Sequence, residues 1–233
     1  MPEPKTLVIL GAAGATGRHA VAQAVDRGHT VIAVERDWTD LPEPPAGVRK
    51  VSADVLRDDL GAVMQGADAV ISALGLGVSA KTLLSPPPLY TEGTLRIISG
   101  MRAAGLIRLV VVSASFVGDR NRGPVWFRNT TGVALDRIFG QMAEMERILS
   151  ATEDIAWTAL RPGWLMEGPA TRDYVVTEDV IPETLIRTRH ADLADLALVC
   201  VEEGNWIRQK PAIAREEPAS ASGPGAVLRD VFE

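Results

Sequence analysis

Residues 7–18 read LVILGAAGATGR: four apolar residues, then glycines at 11, 14 and 17. A chain that leaves an apolar strand through three evenly spaced glycines and enters the amphipathic stretch RHAVAQAVDRG must turn between strand and helix without side chains. In an open parallel sheet such a turn lies at the carboxyl end of the first strand, where ligands bind. Gly11 permits the tight turn, Gly14 lets backbone approach a pyrophosphate, and Gly17 lets the helix pack on the strand. The amides that open the helix, through Ala15 and Thr16, then face the anion, helped by about half a positive charge at the helix start. The expected ligand is a dinucleotide.

The rest of the chain repeats the strand and helix rhythm of a parallel sheet. Strands are expected at Thr6 to Leu10, Thr30 to Glu35, Arg49 to Ser52, Ala69 to Ser72, Leu109 to Ser113 and Trp157 to Leu160. Helices are expected from Gly14 to Arg27, Asp58 to Gln65, Glu92 to Ala104, Thr131 to Ala151 and Ala191 to Glu202. This predicts an α/β fold, a doubly wound Rossmann-type parallel sheet in one domain over residues 1–210. Its substrate loops follow the fourth to sixth strands, and a low-complexity tail covers 211–233. LLSPPPLY, with three consecutive prolines, reads as a stiff loop after the fourth strand. In the tail, Val227, Leu228, Val231 and Phe232 have the spacing of one docked helical turn, although frayed ends are the commoner outcome.

Composition narrows the partners. A net charge of −6 without a basic cluster excludes the electrostatic footprint of a nucleic-acid binder, and the apolar runs are too short to cross a membrane. MPEPKTLVIL has no basic region ahead of a long apolar stretch, and Cys200 is the only cysteine, so a cytoplasmic setting without disulfides is expected. His19, His29 and His190 are scattered, which leaves no metal-ligand spacing. The expected partner is a small molecule, with the chain a monomer or a homodimer.

The second strand ends VIAVERD, where the adenosine ribose is met. An acid at this place hydrogen-bonds the ribose hydroxyls of NAD, whereas an arginine pairs with the 2′-phosphate of NADP. Glu35 and Arg36 are neighbours in an extended chain, so only one faces the cofactor. With Arg18 as a second cation at the start of the first helix, NADP(H) is expected over NAD(H). SADVL after the third strand sets Asp54 and Val55 beside the adenine, unless Asp54 serves its own turn.

In chain order, GAAGATG, ADVL, DAVISALG, LVVVSAS, WTALRPG and RHADLADLAL resemble the atypical short-chain dehydrogenase/reductases. The resemblance is to the NAD(P)-binding group that includes biliverdin-IXβ reductase (flavin reductase) and the NmrA-like proteins. It implies a 2′-phosphate contact at Arg36 and a cofactor-lining run at Ala73, Leu74 and Gly75. It further implies a nicotinamide site lined by Ser113 and Ser115, with Pro162 and Gly163 turning past it.

One part of the wider superfamily's chemistry is missing. Tyr90 is followed four residues later by Thr94, Tyr174 by Glu178, and no lysine occurs between Lys81 and Lys210, so a Tyr-x-x-x-Lys relay cannot be built. Ile138 and Met142 stand at its expected positions. A positioned general acid contributes about 10²- to 10⁴-fold in rate, so its loss cripples ketone reduction yet permits hydride transfer to an acceptor that delocalises charge. The predicted activity is NADP(H)-dependent hydride transfer to a conjugated or activated small molecule. A non-catalytic NADP-sensing regulator and a non-redox isomerase or cyclase are the competing readings.

Phe116, Trp126, Phe127 and Trp164, with Tyr90 and Met166, offer an apolar wall for such a substrate, or a lid core that merely closes the fold. Arg120, Arg122 and Arg128 can clamp an anionic substituent. The candidate catalytic groups are Ser113, Ser115 and His190.

Overall fold

The computed structural model describes residues 3–77, 79–119, 135–222 and 226. β1 (Thr6–Leu10), β2 (Thr30–Glu35) and β4 (Ala69–Ser72) are apolar runs, as strands buried on both faces must be. With β3 (Arg49–Ser52), β5 (Arg108–Val112) and β6 (Ala156–Pro162) they form a parallel sheet in the order β3-β2-β1-β4-β5-β6. The order reverses between β1 and β4, which sets the crevice for a ligand at the carboxyl ends of those two strands.

Side chains alternate between the two faces of the sheet. Val8, Leu10, Ile32 and Val34 pack with α2 (Leu60–Met64), α4 (Glu92–Ala104) and α6 (Asp136–Ser150). Leu7, Ile9, Val31 and Ala33 pack with α1 (Gly17–Asp26) and α7 (His190–Glu203). Almost every residue of α7 from Ala191 to Val201 is buried, because that helix lies between α1 on one side and β5, β6 and the short strand β9 (Arg187–Arg189) on the other. Three further helices, α3 (Ala80–Leu84), α5 (Ser115–Gly118) and α8 (Ala219–Ser222), are single turns.

The first helix starts later than expected, at Gly17 and not Gly14, so Gly14 to Thr16 remain in the loop. The domain also runs further. β10 (Pro211–Ala214) lies fully buried, parallel to β6, and carries β8 (Val175–Glu178) antiparallel on its outer side, while β7 (Trp164–Met166) pairs with β9 in a separate two-stranded sheet. The sheet therefore continues past residue 210, where the tail was expected to begin. PAIA is a four-residue apolar run between charged segments, too short for periodicity to mark.

Candidate functional site

The crevice is floored by the glycine loop. Gly11 holds a φ of +73°, and a side chain there would press on the backbone of Ala73 and Leu74 at 3.0–3.2 Å, which brings the residues after β4 against the loop. At Gly17 a Cβ would lie 1.9 Å from the Gly11 carbonyl oxygen, so the helix can start here only without one. Four loop amides are committed to the protein. Gly14 N–H donates to Gly11 O, Ala13 N–H to Glu35 Oε1 at 2.7 Å, and the Gly11 and Ala12 N–H groups to Val34 O. The next three, on Ala15, Thr16 and Gly17, donate to no acceptor among the described residues. Consecutive free amides at the head of a helix form an anion cradle, which fits a diphosphate.

Glu35 and Arg36 separate as an extended strand requires. Alternation puts Glu35 on the side of Val31 and Ala33, where its carboxylate is held by the Ala13 amide. Arg36 is exposed on the side of Ile32, Val34 and Val55 and has no hydrogen-bond or ion-pair partner among the described residues. Arg18 turns to Glu167, 2.6 Å away, and with Ala13, Trp38 and Pro42 borders a cavity of about 130 Å³ against the loop. Asp54 spends one carboxylate oxygen on the Leu56 amide, which is the turn role, and Val55 is buried in the core.

At the ends of β5 and β6 only part of the arrangement was legible from the residues. The Ser113 hydroxyl donates to Glu146 Oε1 at 2.7 Å, and the Arg161 guanidinium grips the same carboxylate through Nε at 2.9 Å and Nη2 at 2.5 Å. Arg161 also donates to the Asp179 carbonyl, and Ser115 donates to the Arg161 carbonyl. All four side chains that share this chain of bonds, Ser113, Ser115, Glu146 and Arg161, are buried. Glu146 was missed in the sequence, although one signal was present: it shares the face of α6 that carries Phe139, Met142 and Leu149, an odd place for a lone carboxylate. Pro162 ends β6, and a Cβ on Gly163 would meet the Ile186 carbonyl oxygen at 2.6 Å, so this turn is tightly packed. Ala73 and Leu74 are half-buried and Gly75 exposed beside Gly11.

Other candidates move. Phe116 is not a pocket wall: it is 5% exposed in the core and meets Phe139 in a tilted ring contact with centres 5.9 Å apart, because α5 folds it inward against α6. Trp164 is half-buried against the same core cluster. His190 stands not in the Ser113 chain but at the head of α7, with Nδ1 2.8 Å from Thr16 Oγ1 in the glycine loop. Trp126, Phe127, Arg120, Arg122 and Arg128, and the four apolar tail residues, lie outside the described residues.

The tyrosines and the cysteine are accounted for structurally. Burial pushes the Tyr90 hydroxyl up to about 12 against a weaker pull from the Leu76 backbone. Burial and the hydrogen bond to Asp195 raise Tyr174 further, and burial pushes the Cys200 thiol up to about 12. Ile138 and Met142, where the sequence reading expected the relay, are buried on α6. Among the described residues no helix is long and apolar enough to cross a membrane, and no group of three His, Cys, Asp or Glu is arranged to hold a metal ion.

Residues 11–204 match the NAD(P)H-binding family. A 3-diazoavenalumate denitrifying reductase of Streptomyces is 32% identical over 184 residues, covering 71% of this chain and 57% of that protein. An uncharacterized chloroplastic protein of Arabidopsis thaliana is 28% identical over 242 residues, 98% of this chain and 81% of its own length. Among solved structures, an oxidoreductase of Lactococcus lactis superposes with a TM-score of 0.74 at 19% identity, covering 98% of this chain and 97% of that one. A short-chain dehydrogenase/reductase of Veillonella parvula gives 0.72 at 16%, covering 93% and 96%. These two likenesses carry the fold alone. The free amides of the glycine loop and the matched residues agree: the chain belongs to the NAD(P)H-binding family, with a reductase-like Rossmann fold.

Proposed function

We propose that the chain is an NADP(H)-dependent oxidoreductase of the atypical short-chain dehydrogenase/reductase type, passing hydride to a conjugated or activated small-molecule acceptor. When bound, the nicotinamide supplies the hydride. The protein's part is to hold and orient. The Ala15, Thr16 and Gly17 amides would take the diphosphate, Arg36 a 2′-phosphate, and the residues around Gly11, Ala73 and Ser113 the nicotinamide end. Holding donor ring and acceptor ring together can replace much of the missing acid catalysis, since oriented groups reach effective molarities of about 10⁵ M or more. The acceptor takes hydride as two electrons and one proton equivalent, and solvent supplies the second proton.

The observation that carries this reading is the state of the two tyrosines. Tyr90 is buried, the Tyr174 hydroxyl is spent on Asp195, and neither is followed by the lysine of a relay, which supports an acceptor that receives hydride without a tyrosine acid. The Streptomyces relative, named a reductase, supports the same direction. NADP(H) is read over NAD(H) because the Glu35 carboxylate is occupied by Ala13 while the Arg36 guanidinium has no hydrogen-bond or ion-pair partner among the described residues. The reading takes a small molecule as partner and works in a cytoplasmic monomer or homodimer.

The test is NADPH oxidation followed at 340 nm with a quinone and with free flavin. Turnover with these and none with simple ketones is expected. Tight NADPH binding without turnover on any delocalised acceptor would replace this reading with the regulatory one.

A further inference from the structure

We propose that His190 is a positioning residue for the diphosphate of the dinucleotide, acting through the Thr16 hydroxyl, and that cofactor binding is thereby linked to a proton on the imidazole. The inference rests on the glycine loop being the diphosphate cradle.

Thr16 stands at the N-cap of α1, yet its hydroxyl makes no bond to its own helix. A threonine at that place ordinarily spends its oxygen on an amide two or three positions further along the helix. Here Oγ1 lies 2.8 Å from His190 Nδ1, and the cradle amides stay free. The hydroxyl has two ways to share that contact. If the imidazole carries its proton only on Nε2, Nδ1 accepts from Thr16 and the oxygen turns lone pairs toward the cradle. If Nδ1 carries a proton, Thr16 accepts it, and its own O–H is released as a fourth donor beside three amides. An anion in the cradle selects the second arrangement. The imidazolium, which carries a proton on both ring nitrogens, also attracts the anion as a charge.

The imidazole cannot drift from this place. α1 and α7 are tied along their length by Gln23 Nε2 donating to the Ala191 carbonyl at 2.8 Å and by Arg27 pairing with Asp195 and Glu202. The charges around it are mixed. Glu167, whose carboxylate meets Arg18 at 2.6 Å and His19 at 3.7 Å, feels the His190 charge as well. On its own helix Asp192 is turned to the Thr171 and Arg172 amides, Arg189 before it pairs with Glu217, and across the loop Glu35 holds Ala13. Glu167 and Asp192 favour the imidazolium, whereas Arg18, His19 and Arg189 oppose it. A bound diphosphate adds charge on the favouring side. The folded, liganded protein therefore holds the proton more tightly than the free one, takes up a proton on binding, and loses affinity as pH rises through the titration of the imidazole.

The probe is NADH, which lacks a 2′-phosphate titrating in the same range, measured by calorimetry in buffers of different ionisation heat between pH 6 and 8. Wild type is expected to take up a fraction of a proton at pH 7 and to bind several-fold more weakly at pH 8 than at pH 6. His190→Ala should lose about tenfold at pH 6. His190→Asn, whose amide N–H takes the place of Nδ1–H, should recover most of that loss without the pH slope; thermal melting of the free variants checks that each is folded. NADPH, with the Asn variant's uptake subtracted, serves where NADH binds too weakly. Binding by His190→Ala equal to wild type, or Asn as weak as Ala with no proton uptake by wild type, overturns the inference and leaves the proposed function standing. No binding of either nucleotide to wild type removes the cradle and the inference together.

Discussion

At the carboxyl end of β1 the chain removes side chains, whereas at the ends of β5 and β6 it buries charged ones. Around Gly11 and Gly17 the surface is backbone, and three of its donors are left without acceptors among the described residues. Around Ser113 the donors are matched: the serine and Arg161 converge on Glu146, and Arg161 reaches on to the Asp179 carbonyl. The first region holds binding capacity in reserve for a ligand. The second is satisfied internally, so its contribution is a fixed shape. Position and rigidity come from one, affinity from the other, and substitutions in the two regions should fail in different ways.

The sharpest break is at Gly17. A valine there puts its Cβ 1.9 Å from Gly11 O and 2.8 Å from Gly11 C, both backbone atoms that no rotamer change relieves. Gly17→Val should abolish detectable NADPH binding by titration, with retained binding meaning that the loop is not shaped as described. Gly14→Ala is the graded partner, since its Cβ would approach Gly11 O only to 3.2 Å and should weaken binding without abolishing it.

Next in size is Glu146→Ala. It leaves the buried Arg161 guanidinium only the exposed Asp179 carboxylate, 3.4 Å away, and removing the buried partner of such a pair costs about 3–5 kcal/mol. Urea denaturation should show a loss of that order. A loss below about 1 kcal/mol would mean that water or another group already satisfies Arg161. Gly118 limits the remedies, because even a Cβ there would lie 2.5 Å from the guanidinium.

The same contrast explains what could be read from the residues alone. A site made of absent side chains is local: three glycines within seven residues, bounded by an apolar strand and an amphipathic helix, specify it without any distant partner. The six strand segments and their parallel sheet followed for much the same reason, since β1, β2 and β4 are apolar runs separated by helix-length stretches, although the polar β3 shows that not every strand carries that mark. The Glu146–Arg161 pair joins residues fifteen apart on different elements, and only the odd carboxylate on the apolar face of α6 hinted at it. His190 is 174 residues from Thr16, a separation that no local pattern spans. β7 to β10 are three or four residues each and stayed invisible, and Phe116 looked like a substrate contact because aromatic residues in a loop sequence carry no mark of which way the loop folds.

A smaller effect tests the assignment of Glu35 and Arg36. Arg36→Ala should weaken NADPH binding by about tenfold, the worth of one charge-assisted contact, and leave NADH nearly unchanged. Glu35→Gln should do little to the preference, because its carboxylate serves the Ala13 amide and not the ribose. A preference for NADPH that survives Arg36→Ala would transfer the 2′-phosphate contact to Arg18, at the cost of its bond to Glu167.

The smallest effect isolates charge pairing from burial. Arg102 and Asp154 form a two-bond pair at 2.7 Å with both side chains more than half exposed, far in character from Glu146 and Arg161. The Arg102 hydrogen bonds draw the Asp154 carboxyl down to about 2 from its ordinary 3.8, so whatever the pair adds is present above pH 4 and fades as pH falls toward 2. In Arg102→Ala the carboxyl should return toward 3.8 in an NMR titration, while the melting temperature at pH 7 barely moves, since exposed pairs are screened and hold few degrees of freedom in place. A large drop in melting temperature would show that geometry alone, without desolvation, makes a pair structural here, and the reason given for the cost of Glu146→Ala would then be wrong. Both substitutions remove one partner of a bidentate arginine pair, so the gap between their measured costs is the contribution of burial itself.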